Sequence, residues 1–202
     1  MVCVSHTTGS GGDEVGKRVA EQLGYLYVDE DIVAIAAAQG GLAPGDVADE
    51  EGRKSFASRF LETMAEGGGD AWTLAATAGV ELVRPADVRA LIRETVVETA
   101  ARGNVVIVAH AASHALDPGP RTLRVFVTAS TETRAKRVAA TEQVDEGQAA
   151  RTIKDADAAR RDYLKRFYSM TSESPTDYDL VVNTDLLSNE QAAEIVVRAA
   201  GR

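Results

Sequence analysis

The 202-residue chain carries 31 Asp and Glu against 22 Lys and Arg, a formal net charge of −9. That balance excludes a basic nucleic-acid surface or an anionic-membrane surface as the main partner. The length suits one soluble domain, 1–202, with room for an insert, and no apolar run approaches the roughly 20 residues of a membrane span. The single cysteine, Cys3, excludes an internal disulfide, and His6, His110 and His114 form no Cys/His cluster for zinc. Met1 leads straight into an apolar run, so a cytoplasmic protein without a secretory leader is expected.

The first apolar run, ending near Ser5, reads as a strand, and Gly9-Ser10-Gly11-Gly12 follows it closely. Val15, Val19 and Leu23, spaced by four, then set a helical stripe. Strand, glycine turn and helix is an arrangement that holds a phosphate, with bare backbone N–H groups and a helix N-terminus facing the anion. Gly9, Ser10, Gly11, Gly12 and the adjoining Asp13 are therefore the candidate nucleotide-phosphate site. The common phosphate loop ends Gly-Lys-Ser/Thr, whereas here Gly12, Asp13 and Glu14 follow Gly-Ser-Gly.

A second register, Gly11 to Gly16-Lys17, satisfies Gly-x4-Gly-Lys, but Arg18 then stands at the hydroxyl position and Lys17 falls inside the helix. Lys17 reads there as a solvated helix residue and stays a candidate for the missing cation. A dinucleotide fingerprint fails because Glu14 replaces its third glycine. The plain alternative is a strand-to-helix turn with no ligand.

Tyr25–Val28 is the second expected strand, running into Asp29-Glu30-Asp31. A carboxylate at the carboxyl edge of a buried strand sits where ligands bind in such folds, so Asp29 is a candidate Mg²⁺ ligand or proton acceptor and Asp31 a candidate acceptor contact. The competing reading makes Asp29 or Glu30 a helix cap. A helix is expected over Asp31–Gln39, then a glycine-interrupted insert or flap over 40–82. Pro85 opens a helix closed by Gly103, and Val105–Ala109 and Leu123–Val127 are strands, the latter followed by a helix near Glu132–Ala140. Residues 145–170 form a lid-like helical segment, Tyr178–Val182 a fifth strand, and Asn189–Ala200 the last helix. This order implies a three-layer, doubly wound α/β fold with a mostly parallel five-stranded sheet.

Within the lid-like segment, Asp157, Arg160 and Arg161 fall within about one helical turn. Arginine suits the charge that develops on a migrating phosphoryl group. A solvated amphipathic helix with internal ion pairs is the alternative.

Together these stretches resemble the cytidylate kinase-like P-loop proteins, a branch of the nucleoside monophosphate kinases. The matching residues are Val4-Ser5, Gly9–Gly12, Ala20–Gly24, Tyr27–Ile32, Gly103–Val108, Leu123–Val127 with Arg134 and Arg137, Lys154…Asp157-x-x-Arg160-x-x-Tyr163, and Tyr178–Thr184. The resemblance implies a P-loop kinase fold, ATP as phosphoryl donor, Mg²⁺, and a nucleotide or small-molecule acceptor, and a homodimer is compatible with it. It places Gly9–Gly12 around the donor phosphates, Asp29 near metal and acceptor, Arg160 and Arg161 on the transferring phosphate, Asp157 and His110 toward the acceptor, and 40–82 as the acceptor flap.

The chain departs from that pattern at three points. His6 stands where relatives carry Arg, Asp13 where they are basic, and His110 where Gly-Arg meets the acceptor phosphate. Each lost charge-assisted contact is worth about 1.5–3 kcal/mol. Two readings stay open: a small-molecule kinase whose acceptor is not ordinary CMP, and a nucleotide-binding or regulatory protein that has lost turnover on a kinase scaffold.

Overall fold

Apolar runs buried on both faces belong in the middle of a parallel sheet, and such runs hold the centre here. In the computed structural model, β1 (Val2–His6) lies between β3 (Val105–Val108) and β4 (Leu123–Thr128). Strands β2 (Leu26–Asp29) and β5 (Leu180–Asn183) complete the order β2-β3-β1-β4-β5. Pairing is parallel through β3, β1, β4 and β5, with Val4 between Val108 and Val125, and Val127 opposite Val182.

The structure describes residues 1–29, 96–101, 103–109, 112–115, 119, 121–171 and 173–201. The helix expected at 31–39, the flap at 40–82, the first part of the Pro85 helix, and the candidate residues Asp31 and His110 lie outside the described residues.

The chain divides into two compact units, Met1–Tyr27 with Asn104–Arg202, and Val28–Gly103. In the second unit Val28 is buried, Asp29 is half-buried at the end of β2, and residues 96–101 are helical with Val96 and Thr99 buried. Gly103 follows at a φ of 69°.

The first unit carries α1 (Gly12–Leu23), the short α2 (Ala112–Ala115), α3 (Thr131–Glu142), α4 (Glu146–Tyr168) and α5 (Asn189–Ala200). Val15 and Val19 of α1 and Ala192, Ala193 and Val196 of α5 share one buried cluster with Val4, Val125 and Val127 of the sheet. A second cluster joins Ala135 and Val138 of α3 to Ala149 and Ile153 of α4. No helix among the described residues is long and apolar enough to cross a membrane. Cys3 is buried in β1, and burial pushes its thiol up to about 12, so it packs rather than reacts at neutral pH.

Helix starts separate α1 from its neighbours. Ser130, Asp145 and Ser188 cap α3, α4 and α5 by accepting a backbone N–H, and Ser188 and Gln191 form a reciprocal capping box. Helix α1 starts on Gly11 with no side-chain cap. Its first-turn N–H groups are thus offered to some other acceptor.

The second strand begins one residue later than expected, at Leu26, and the fifth two residues later, at Leu180. Tyr178 lies outside β5, because Ser174 and Asp177 form a capping box that winds Pro175–Asp177 into a 3₁₀ turn. The turn brings the Tyr178 ring to a parallel stack on Phe126, 4.9 Å between centroids.

Gly16 gives the fold a direct test. A Cβ there would strike Val108 Cγ2 of β3. Overpacking of this kind costs about 1–3 kcal/mol, so Gly16→Ala should lower the urea-unfolding free energy by about that much. Combined with Val108→Ala, the loss should be smaller than the sum of the two single losses; simple additivity would show that the two sites do not touch.

Candidate functional site

The chain leaves β1 at His6 and must turn within a few residues to start α1. Gly9 and Gly11 make that turn at φ of 77° and 84°, backbone that side-chain-bearing residues avoid. Ser10 between them is fully buried. Its hydroxyl donates to the carbonyls of Thr7 (2.7 Å) and Val127 (3.1 Å), and its N–H donates to Thr7 O at 3.0 Å. The hydroxyl is therefore turned into the fold, and what the loop presents is backbone. Side chains at Gly11 or Gly12 would collide with Asn189 of α5 and with the His6 ring.

Three arginines grip the loop by alternate carbonyls. Arg160 Nη1 donates to His6 O at 3.1 Å, Arg134 Nη1 to Thr8 O at 3.3 Å, and Arg137 Nη1 to Ser10 O at 3.2 Å. Thr184, fully buried after β5, adds a 2.7 Å bond from its hydroxyl to Ser10 O and accepts Arg137 at both Oγ1 and O. In a planar trans peptide the N–H points opposite to the C=O. Holding Thr8 O and Ser10 O toward α3 therefore aims the N–H groups of Gly9 and Gly11 away from it.

The charges of these arginines are treated differently. Arg134 is met by both oxygens of Asp157 (2.8 and 2.7 Å), and Arg160 by both oxygens of Glu173 (2.8 and 2.7 Å). The oxygens that Arg137 reaches, on Ser10 and Thr184, are all neutral.

At the start of α1, His6 Nε2 lies 3.2 Å from Asp13 Oδ1, so two of the departures from the family pattern meet each other. Arg18 joins Glu14 (2.9 Å) to Glu190 of α5 (2.7 Å). Lys17 sits on α1 with its ammonium 5.8 Å from the centroid of the Tyr27 ring.

A second polar cluster adjoins Arg160. Tyr178 donates its hydroxyl to Glu173 Oε1, and His114 Nε2 of α2 stands 3.4 Å from the same hydroxyl. Arg160 also lies over Phe126, 5.6 Å from the ring centroid. Burial alone would raise the Glu173 carboxyl; the hydrogen bonds and charge of Arg160, with Tyr178, outweigh it and hold the group below its ordinary 4.5. Burial, then Glu173, pushes the Tyr178 phenol well above its ordinary value, so it stays a donor. Burial lowers His114 below 6.5 against the pull of Glu173 and Asp177.

The structure thus brings together Gly9, Ser10, Gly11, Gly12, Asp13 and Arg160, and places Asp157 one arginine away from the loop. Arg161 is exposed on α4, and Asp29 ends β2 in the other unit. Reading the sequence did not find Thr184, Glu173, Tyr178 or His114 as site residues. The spacing of Arg134 and Arg137 by three does put them on one helix face, but nothing local ties Arg160 to a carboxylate thirteen residues on.

The model of the cytidylate kinase-like family matches residues 1–186. The chain belongs to the cytidylate kinase-like family. A cytidylate kinase of Ignicoccus hospitalis is 27% identical over 198 residues, 98% of this chain and 97% of its own length. One of Methanopyrus kandleri is 31% identical over 113 residues, 50% of this chain and 57% of its own. The crystal structure of an uncharacterized protein from Eubacterium ventriosum superposes with a TM-score of 0.69 at 17% identity, covering 99% and 97% of the two chains, a likeness of fold. The α/β kinase fold and kinase-like character expected from the sequence are those of this family.

The pKa directions give a pH dependence. His114 is lowered in the fold, so its contribution to stability is complete above about 6.5 and is lost as pH falls through the lower folded value. Glu173 is lowered too, and its contribution is lost only below about 4.5. The urea midpoint should therefore drop between about pH 7.5 and about pH 5.5, and His114→Gln should flatten that drop. An unchanged slope in the variant would remove His114 as its source.

Proposed function

We propose that the chain is an ATP-dependent phosphotransferase of the cytidylate kinase-like type, with an acceptor that carries less phosphate than CMP. The observation that carries this reading is the Gly9–Gly12 loop, gripped at three carbonyls and opening onto an uncapped helix N-terminus. Such a loop suits the donor phosphates through backbone N–H groups. Thr7 Oγ1, buried in the loop without a partner among the described residues, is a further unused polar atom there.

The reading also takes Mg²⁺ as the counter-ion of the donor phosphates. Among the described residues no three His, Cys, Asp or Glu gather around a metal-sized point. Magnesium takes most of its ligands from phosphate and water, with one or two carboxylates. Asp29 is the carboxylate assigned to it. When bound, Mg²⁺ would supply positive charge that offsets the charge of the donor phosphates. The chain's own parts would hold the donor by loop amides, with the charge of Arg137 behind the loop, and meet the migrating phosphoryl group with the remaining N–H donors of Arg160.

The acceptor is set apart from CMP by His110, which stands where the family resemblance puts the arginine that meets the acceptor phosphate. At the donor loop, His6 is paired to Asp13, so neither position offers an Arg or Lys. The second reading, a binding protein without turnover, is favoured by Glu173, which neutralises Arg160.

An ADP-release assay over a panel of acceptors separates the two. Mg²⁺-dependent release with an acceptor poorer in phosphate, and poor release with CMP, is expected, and Asp29→Asn should abolish it with little loss of stability. Asp13→Arg should tighten ATP by about tenfold, the value of one restored charge-assisted bond. Efficient CMP turnover by the unmodified protein would overturn the acceptor assignment. ATP binding with no release for any acceptor would favour the binding protein.

A further inference from the structure

Arg160 leaves α4 at a point where its charge could take many directions, because an arginine side chain has several rotatable bonds. Four contacts remove that freedom. Both oxygens of Glu173 take Nε and Nη2, at 2.8 and 2.7 Å, in the fork-to-fork geometry that fixes a guanidinium plane. The third contact is Nη1 on His6 O at 3.1 Å, and the fourth is the Phe126 ring beneath. Glu173 is itself held, since Tyr178 donates to its Oε1 and Tyr178 is stacked on Phe126. The side chains of Arg160 and Glu173 are 5% and 17% exposed, so water competes little for the pair.

A guanidinium has five N–H donors. Among the described residues, Glu173 and His6 use one on each nitrogen and the Tyr178 hydroxyl also engages the guanidinium, which leaves one. The plane is thus fixed beside His6, where the chain leaves β1 for the glycine loop, with one donor left for a ligand.

We propose that Glu173 is a positioning residue: it sets the plane of Arg160 against the phosphate loop, with Tyr178 setting Glu173, so that the terminal phosphate of a nucleoside triphosphate meets an already oriented fork. This rests on the reading of the loop as a nucleotide-phosphate site. Glu173 itself touches neither nucleotide nor acceptor. Its effect passes entirely through Arg160, and that is what distinguishes it from a carboxylate that only stabilises the fold.

The test uses the full chain and the variants Glu173→Gln, Tyr178→Phe, Arg160→Ala and the double variant Glu173→Gln/Arg160→Ala. Three readouts run in parallel: kcat and KM in the ADP-release assay, the ratio of affinities for AMP-PNP and ADP by calorimetry, and urea unfolding. Glu173→Gln should lower kcat by about a hundredfold, the cost of misplacing a reacting group's partner by about an ångström. KM for ATP should rise by no more than about tenfold, in step with the lost triphosphate contact, so kcat falls further than KM rises. The preference for AMP-PNP over ADP should fall about tenfold, because only the triphosphate reaches Arg160. Tyr178→Phe, which keeps the carboxylate and the fold, should show the same pattern more weakly. In the Arg160→Ala background, Glu173→Gln should change neither kcat nor the affinity ratio further.

Unchanged kcat and affinity ratio in a folded Glu173→Gln variant would overturn the proposal. So would an equal further loss in the Arg160→Ala background. If the unmodified protein binds both nucleotides and releases no ADP, the transferase reading fails, and the affinity ratio still decides the role of Glu173. A protein that binds neither nucleotide would overturn both.

Discussion

The carbonyl oxygens of His6, Thr8 and Ser10 are each bound by an arginine, and the site depends on that grip. A glycine-rich turn would otherwise sample many backbone conformations, since glycine loses more freedom on ordering than any other residue. Here Arg160, Arg134 and Arg137 hold alternate peptides by their carbonyls, and Thr184 and Val127 fix Ser10 from β5 and β4. The strand order supports this directly, because β1 and β5 are both neighbours of β4. A loop held from behind is ready for a ligand in front, and the ordering cost falls on folding rather than on binding.

On the proposed reading, the same contacts stand in for the usual loop lysine. In common phosphate loops a side-chain cation reaches the phosphates. In this chain the positive charge lies behind the loop, and most of it is matched. Asp157 faces Arg134 and Glu173 faces Arg160, whereas among the described residues Arg137 binds neutral oxygens. His6 and Asp13 meet at the mouth, so the two departures from the family pattern form a local pair rather than separate losses. The consequence is a loop of exposed backbone amides with a modest field, which on the proposed reading would grip phosphate less tightly than a lysine-bearing loop.

The sheet and its helices were legible because their signals are local. Val105–Val108 is a continuous apolar run, and α5 begins at Asn189 as expected, after the Ser188/Gln191 capping box. The glycine loop was legible for the same reason. Tyr178 was read as strand because Tyr-Asp-Leu-Val-Val continues an apolar run; the Ser174–Asp177 capping box shortened it. The partners of the arginines were not legible. Arg134 and Asp157 are 23 residues apart, and Arg137 and Thr184 are 47 apart, so only the packing of α3 against α4 and the end of β5 brings them together. Within the basic run of α4, Arg160 is matched by Glu173 from beyond the helix, and Asp157 of the same run matches Arg134 of α3.

The central claim is that backbone amides of Gly9–Gly12, and not cationic side chains, hold the donor phosphates. Titrating ADP into the ¹⁵N-labelled protein and following the amide resonances tests it most directly. The account predicts that the largest proton shifts fall downfield on Gly9, Gly11 and Gly12, as expected for N–H groups that gain an anionic acceptor. Shifts centred on Lys17 and the exposed Arg161, with the glycine amides unmoved, would contradict it.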